Sequence, residues 1–256
     1  MRLALSQRRI PPIVRVAALA CVAAGLVGCA TPPAMDSQAT AQRYRGVIDS
    51  PIRTDADRRM DASRKPADFL PFTQVQQGMQ VLDVAAGGGY TSQLLALAVA
   101  PGGRVWAQAP TPGAALKQRL AEHPQGNVII VARPFDDPVP PEARELDLIT
   151  IVNNYHDISY LPVDRAQMNA RLYAALKPGG RLVIVDHSAK AGTGITAGRT
   201  LHRIDEAVVL DELRRAGFVL DAEGAFLRNP ADTREETSNQ SKVPTDKFAL
   251  RFVKPR

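Results

Sequence analysis

The chain has 256 residues, a formal charge of +6 and an isoelectric point near 9.6. The basic excess is local: residues 1–28 hold four arginines and no acid, and the 32 basic residues less these four face 26 acidic ones. A near-neutral body argues against a nucleic-acid partner, and two cysteines in all, Cys21 and Cys29, exclude a disulfide framework or a thiolate metal site.

Residues 1–28 read as an export signal. A basic stretch precedes an apolar run from Val16 to Gly28, shorter than the ~18 or more residues of a membrane span. Leu26-Val27-Gly28-Cys29 resembles a bacterial lipobox, which implies cleavage before Cys29 and its lipidation. Ala30 in the next position implies the outer membrane, with the protein on the periplasmic side. Residues 29–53 open with Thr31-Pro32-Pro33 and read as a polar tether. Residues 54–256 form the folded domain, with a helical N-terminal extension. Charges are dense from Thr54 to Phe72, and Pro66 divides that stretch into two short helices. These are either a solvated face or a lid over whatever follows.

Val81-Leu82-Asp83-Val84, the run to Gly87-Gly88-Gly89, and Tyr90 onward read as a buried strand, a tight loop and a helix. The helix aims free N–H groups over the loop. It ends at Pro101-Gly102-Gly103-Arg104, and Val105–Gln108 is the next strand. Thr111-Pro112 opens a helix to about Glu122. Strands follow at Asn127–Val131 and Leu146–Val152. A helix from about Asp164 to Leu176 stops at Pro178-Gly179-Gly180-Arg181, the same tetrapeptide again, before a strand at Arg181–Asp186. Asp205 caps a last helix closed by Gly217. Phe218–Ala222 and Lys247–Val253 are strands with no helix between them and so pair antiparallel. Apolar strands alternating with helices mean a doubly wound, mostly parallel α/β sheet covered on both faces. His123, His156, His187 and His202 are scattered in sequence, and no histidine metal cluster is expected.

Asp83 followed by the glycine loop resembles the first motif of class I S-adenosylmethionine-dependent methyltransferases, acidic-x-Gly-x-Gly-x-Gly, with Ala85 in place of the first glycine. Leu176-Lys-Pro-Gly-Gly-Arg-Leu182, Leu213-x-x-Ala216-Gly217-Phe218 and the terminal antiparallel hairpin are similar to that family too. The resemblance covers about Pro66 to Lys254 and implies a seven-stranded Rossmann-like methyltransferase sheet. It also implies S-adenosyl-L-methionine as cofactor, held by Asp83, Ala85, Gly87, Gly89 and Tyr90. Gln108 stands where the family has a ribose-binding acid, Phe135 and Asp136 where it holds adenine, and Asn153 at the edge of the fourth strand.

Tyr155, His156 and Asp157 continue from Asn153-Asn154 at the carboxyl edge of the sheet, where loops carry function. His156 is a candidate general base, with Asp157 to orient it; His202 and Arg203 are candidate acceptor-binding residues. The expected function is methyl transfer to a small-molecule or envelope acceptor. A catalytically silent binding module of the same fold is the alternative, suggested by Ala85 and Gln108. A nicotinamide-dependent oxidoreductase is disfavoured, because Gly-x-Gly-x-x-Gly read from Gly87 puts Ser92 at its last glycine.

Overall fold

A computed structural model describes residues 37–256; the export signal, the lipobox with Cys29 and the start of the tether lie outside the described residues. Seven strands form one sheet: β1 (Gln80–Val84), β2 (Arg104–Ala109), β3 (Val128–Ala132), β4 (Leu146–Val152), β5 (Leu176–His187), β6 (Val219–Gly224) and β7 (Lys247–Val253). Their order is β3-β2-β1-β4-β5-β7-β6. β1 to β5 pair in parallel, and β7 runs antiparallel between β5 and β6. The doubly wound sheet with its antiparallel end is therefore as expected.

Neighbouring residues of the central strands are buried on opposite faces, as a sheet covered on both sides demands. Leu82, Val84, Leu182 and Ile184 pack under α6 (Tyr155–Tyr160), α7 (Arg165–Ala175) and α9 (Glu206–Arg215). Val81, Val183 and Val185 pack under α1 (Ser37–Ile48), α3 (Pro66–Thr73) and α4 (Tyr90–Val99). α1 corrects the expected tether: residues 37–48 are helical. Tyr44 is buried and donates its hydroxyl to the Val75 carbonyl at 2.7 Å, and Arg43 donates to the carbonyls of Val75 and Ala98. An apolar stripe of only Tyr44, Val47 and Ile48 in a polar helix gave too little periodic signal to mark it.

α2 (Asp55–Arg64) begins at a capping box between Thr54 and Asp57 and ends at Lys65, with Pro66 starting α3, as the proline required. α5 (Ala114–Glu122) starts after Gly113, later than Thr111-Pro112 indicated. The repeated tetrapeptide has one physical cause. A Cβ at Gly103 would lie 2.6 Å from the Met79 carbonyl oxygen, and one at Gly180 2.8 Å from that of Leu146. Each second glycine is pressed onto a neighbouring backbone just before an arginine that pairs with the adjacent strand, Arg104 with Gln80 and Arg181 with Leu148, Gly180 lying within β5 itself.

Candidate functional site

β1 and β4 end side by side, with Asp83 opposite Thr150 in their register. Asp83 accepts hydrogen bonds from Thr150 Oγ1 at 2.7 Å and from Ser92 Oγ at 2.6 Å. Burial pushes its pKa up to about 6, against the pull of those hydroxyls and of the Arg64 charge. It is thus an anion at neutral pH in the floor of a cleft. Ala85 (φ +56°) and Gly87 (φ +55°) take the chain over the strand end in left-handed conformations. At Ala85 that costs strain a glycine would not feel. A Cβ on Gly87 would meet no atom nearer than 3.9 Å, whereas one on Gly89 would lie 2.7 Å from Leu116 Cδ1. Gly89 packs the loop on α5, and Gly87 gives it an open face.

α2 lies beside this loop, with Asp57 turned toward it and Asp55, Arg58 and Arg59 exposed to solvent. Arg119 of α5 donates to both carboxylate oxygens of Asp57 at 2.7 and 2.8 Å, to the Gly88 carbonyl at 2.7 Å and to Gln93 Oε1 at 2.8 Å. Burial would raise the Asp57 pKa, but the bonds from Arg119 and Thr54 outweigh it and hold it at about 2. Tyr90 donates its hydroxyl to Asp61 at 2.6 Å, and Arg53 pairs with the same carboxylate. Under this latch the cleft, lined by Met60, Arg64, Asp83, Ala85 to Gly88 and Tyr90, holds about 170 Å³. That is less than the ~300 Å³ or more of most ligand pockets.

Several expected site residues are elsewhere. Gln108 is fully buried; its Oε1 accepts from the Ala85 N–H at 3.1 Å and its Nε2 donates to the Arg133 carbonyl at 2.7 Å. It splints the glycine loop to the exit of β3 and is no ribose clamp. Phe135 packs on the core, and neither it nor Asp136 borders the cleft. Tyr155 is a core residue, not a catalytic one: it donates to Glu212 Oε2 at 2.7 Å and accepts from Asn169 Nδ2 at 2.8 Å. Arg203 is fully buried and committed to Asp232 and to the carbonyls of Ser188 and Glu236, so it cannot take an acceptor's charge.

His156, Asp157 and His202, by contrast, meet at a second cavity of about 470 Å³ that also shows Asn153 and His187, and Met60 and Arg64 line both this cavity and the cleft. Fold topology gathers here three histidines that the sequence scatters. His156 stands between two carboxylates, with Nδ1 2.6 Å from Asp186 Oδ1 and Nε2 3.2 Å from Asp157 Oδ1. Burial would lower its pKa, but hydrogen bonds to Asp157 and Asp186 and their charges raise it to about 9. The two flanking carboxylates favour its charged form, which weighs against the expected role of general base. Burial also works against the Asp157 anion, but His156, Tyr160 and His202 hold its pKa at about 2. His187 was missed, although it follows Asp186 at the carboxyl end of β5, the position rule that singled out Asn153 to Asp157. Burial and the charges of Lys247, His156, Arg203 and Arg64 keep its imidazole neutral. Asn153 (φ +55°) donates its N–H to the Val185 carbonyl at 2.7 Å, while its Oδ1 is buried without a partner.

Gln108→Glu would set a carboxylate against the Arg133 carbonyl. It is expected to destabilise the fold by about 1–3 kcal/mol in urea unfolding, and a stability equal to wild type would show that the splint carries nothing. The raised His156 pKa stabilises the fold fully below about pH 6.5, and that contribution is lost as pH rises through about 9. Between pH 6.5 and 9.5 the wild type should lose roughly 2–3 kcal/mol more than His156→Gln. Equal losses in the two proteins would remove the imidazolium.

No family model matches the chain. Over 87 residues it is 38% identical to the protein-L-isoaspartate O-methyltransferase of Aeropyrum pernix; the match takes in 33% of this chain and 31% of that protein, so the chain spans about a third of the curated relative's length. Among solved structures it is similar to a SAM-dependent methyltransferase from Aquifex aeolicus, with a TM-score of 0.58 at 18% identity over 84% of this chain and 98% of that one. It is also similar to a SAM-dependent O-methyltransferase from Thermotoga maritima, with a TM-score of 0.52 at 17% identity over 85% of this chain and 71% of that one. At these identities the likeness is one of fold: the chain has the Rossmann-like fold of S-adenosylmethionine-dependent methyltransferases.

Proposed function

We propose that the protein is an S-adenosylmethionine-dependent methyltransferase acting on a small acceptor in the cavity of His156, His187 and His202. The observation that carries this reading is Asn153 Oδ1, a buried acceptor without a partner. It sits in a segment that borders the cleft through Val152 and Asn154 and the cavity through His156 and Asp157. A buried polar atom left unpaired costs ~1–3 kcal/mol, and a ligand's ammonium group would satisfy it. The Asp83 carboxylate and the open face at Gly87 suit the same end of that cofactor. The family's usual ribose contact has no counterpart at Gln108.

Bound S-adenosylmethionine supplies a methyl group on a sulfonium, an electrophile for in-line transfer. Asp83 and Asn153 would hold its charged amino end, and the glycine loop would let it approach. Opening the contacts of α2 with Arg119 and Tyr90 would admit the cofactor, and closing them would exclude water. His156 and Asp157 face the acceptor and position it, and alignment supplies much of the rate. We read the chain further as an exported lipoprotein anchored through Cys29 and acting on an envelope acceptor, on the strength of the basic and apolar run before Cys29. Among the described residues no helix is long and apolar enough to cross a membrane.

Calorimetry on the purified protein should show S-adenosylmethionine binding. Gly87→Val, which fills the open face, should weaken it at least tenfold while lowering stability by only ~1–2 kcal/mol for the left-handed backbone. No binding by the wild type would sink the reading. Cys29→Ser should release the protein from membranes, since stable attachment takes acyl chains at ~0.8 kcal/mol per methylene; unchanged fractionation and N-terminal mass would remove the anchor.

A further inference from the structure

We propose that His156, Asp157 and His202 form a binding site for one divalent transition-metal ion of the zinc type, open on its cavity side to a small protic acceptor. One ligand atom from each residue can be chosen so that all three lie within 4.8 Å of one another. His156 Nε2 and His202 Nδ1 each stand 3.2 Å from Asp157 Oδ1. Zinc bonds of ~2.0–2.1 Å in a tetrahedron put neighbouring ligand atoms about 3.3 Å apart, so the two spacings to Asp157 already suit the ion and the rings' ligand nitrogens stand within 4.8 Å of each other. Two imidazoles and one carboxylate suit zinc, iron or nickel and not magnesium or calcium.

The surroundings are those of a metal ligand set. Asp186, fully buried, takes the His156 Nδ1 hydrogen at 2.6 Å and accepts from the backbone N–H groups of His156 and His187. That fixes the ring with Nε2 toward Asp157, the carboxylate–histidine arrangement that orients metal ligands. Tyr160 donates to Asp157 Oδ1 at 2.9 Å. A divalent ion would replace the ring proton between two carboxylates that already favour positive charge. A proton shared by His156 and Asp157 explains one 3.2 Å approach, but not a second imidazole brought to the same oxygen. His202 caps α8 (Gly198–Leu201), which lies so close to α6 that a Cβ on Gly198 would be 2.9 Å from the His156 carbonyl oxygen.

Three protein ligands leave a fourth position facing the cavity. The use of that position rests on the methyl-transfer reading; the site itself does not. A thiol or hydroxyl bound there loses its proton to water. Its electron pair then forms the bond to the methyl carbon as the carbon–sulfur bond of the sulfonium breaks, leaving that bond's pair on sulfur.

Zinc chloride titrated into the chelator-treated full-length protein should bind one ion per chain at micromolar or tighter affinity, with no heat from magnesium. His202→Asn, a residue that tolerates the left-handed φ of +50°, and Asp157→Asn should each weaken it ~10²-fold or more. His202→Asn should melt as the metal-free wild type does. No zinc bound at ~100 µM, or zinc bound equally by both variants, overturns the site. S-adenosylmethionine titrated in parallel separates the two claims: zinc without cofactor binding refutes only the methyl-transfer reading, and cofactor without zinc refutes only the metal site.

Discussion

Parallel strands whose connections leave to opposite faces cannot cover the crevice between their carboxyl ends. β1 and β4 stand in that relation: α4 packs on one face of the sheet and α6 on the other. Asp83, with Ser92 on one oxygen and Thr150 on the other, closes the floor of the crevice. A buried anion there is tolerable because two hydroxyls serve it and Arg64 lies nearby. The glycine loop, the Asn153 segment and both cavities border that crevice.

A second buried carboxylate, Asp186 at the end of β5, organises the other half of the site. Through His156 it sets the orientation of Asp157, and through the backbone N–H of His187 it fixes the turn into the next segment. The two neighbouring histidines end up in opposite charge states for a physical reason. His156 has carboxylates on both ring nitrogens, while His187 faces Lys247, Arg203 and the His156 cation and meets only the Thr245 hydroxyl at 2.8 Å. Burial disfavours charge on both rings, and only beside His156 do carboxylates oppose it.

Polar contacts tie α2 to the glycine loop. Its contacts to the loop run through Arg119, a single guanidinium shared among Asp57, Gln93 and the Gly88 carbonyl, and through the Tyr90–Asp61–Arg53 chain. These are directional polar contacts and not a large apolar seam, which suits a segment that opens and recloses.

Alternation of apolar strands with helices, the glycine loop after Asp83 and two strands without an intervening helix are local patterns, so the sheet and its antiparallel end were legible from residue order. So were the helix break at Pro66 and the cap at Asp205. Side-chain direction was not legible, because it depends on which elements meet in space. Gln108 sits at the expected strand end yet turns inward to the Ala85 N–H, Tyr155 turns into the core, and Arg203 is consumed by Asp232. His156, His187 and His202 come from three separate stretches of chain, and only the packing of α8 on α6 beside the end of β5 brings their rings within 6 Å of one another in turn. The sequence by itself determined the sheet and its open edge, through the period of its apolar residues. Tertiary structure decided which polar groups face that edge and what charge they carry, because a proton's place depends on partners that lie far away along the chain.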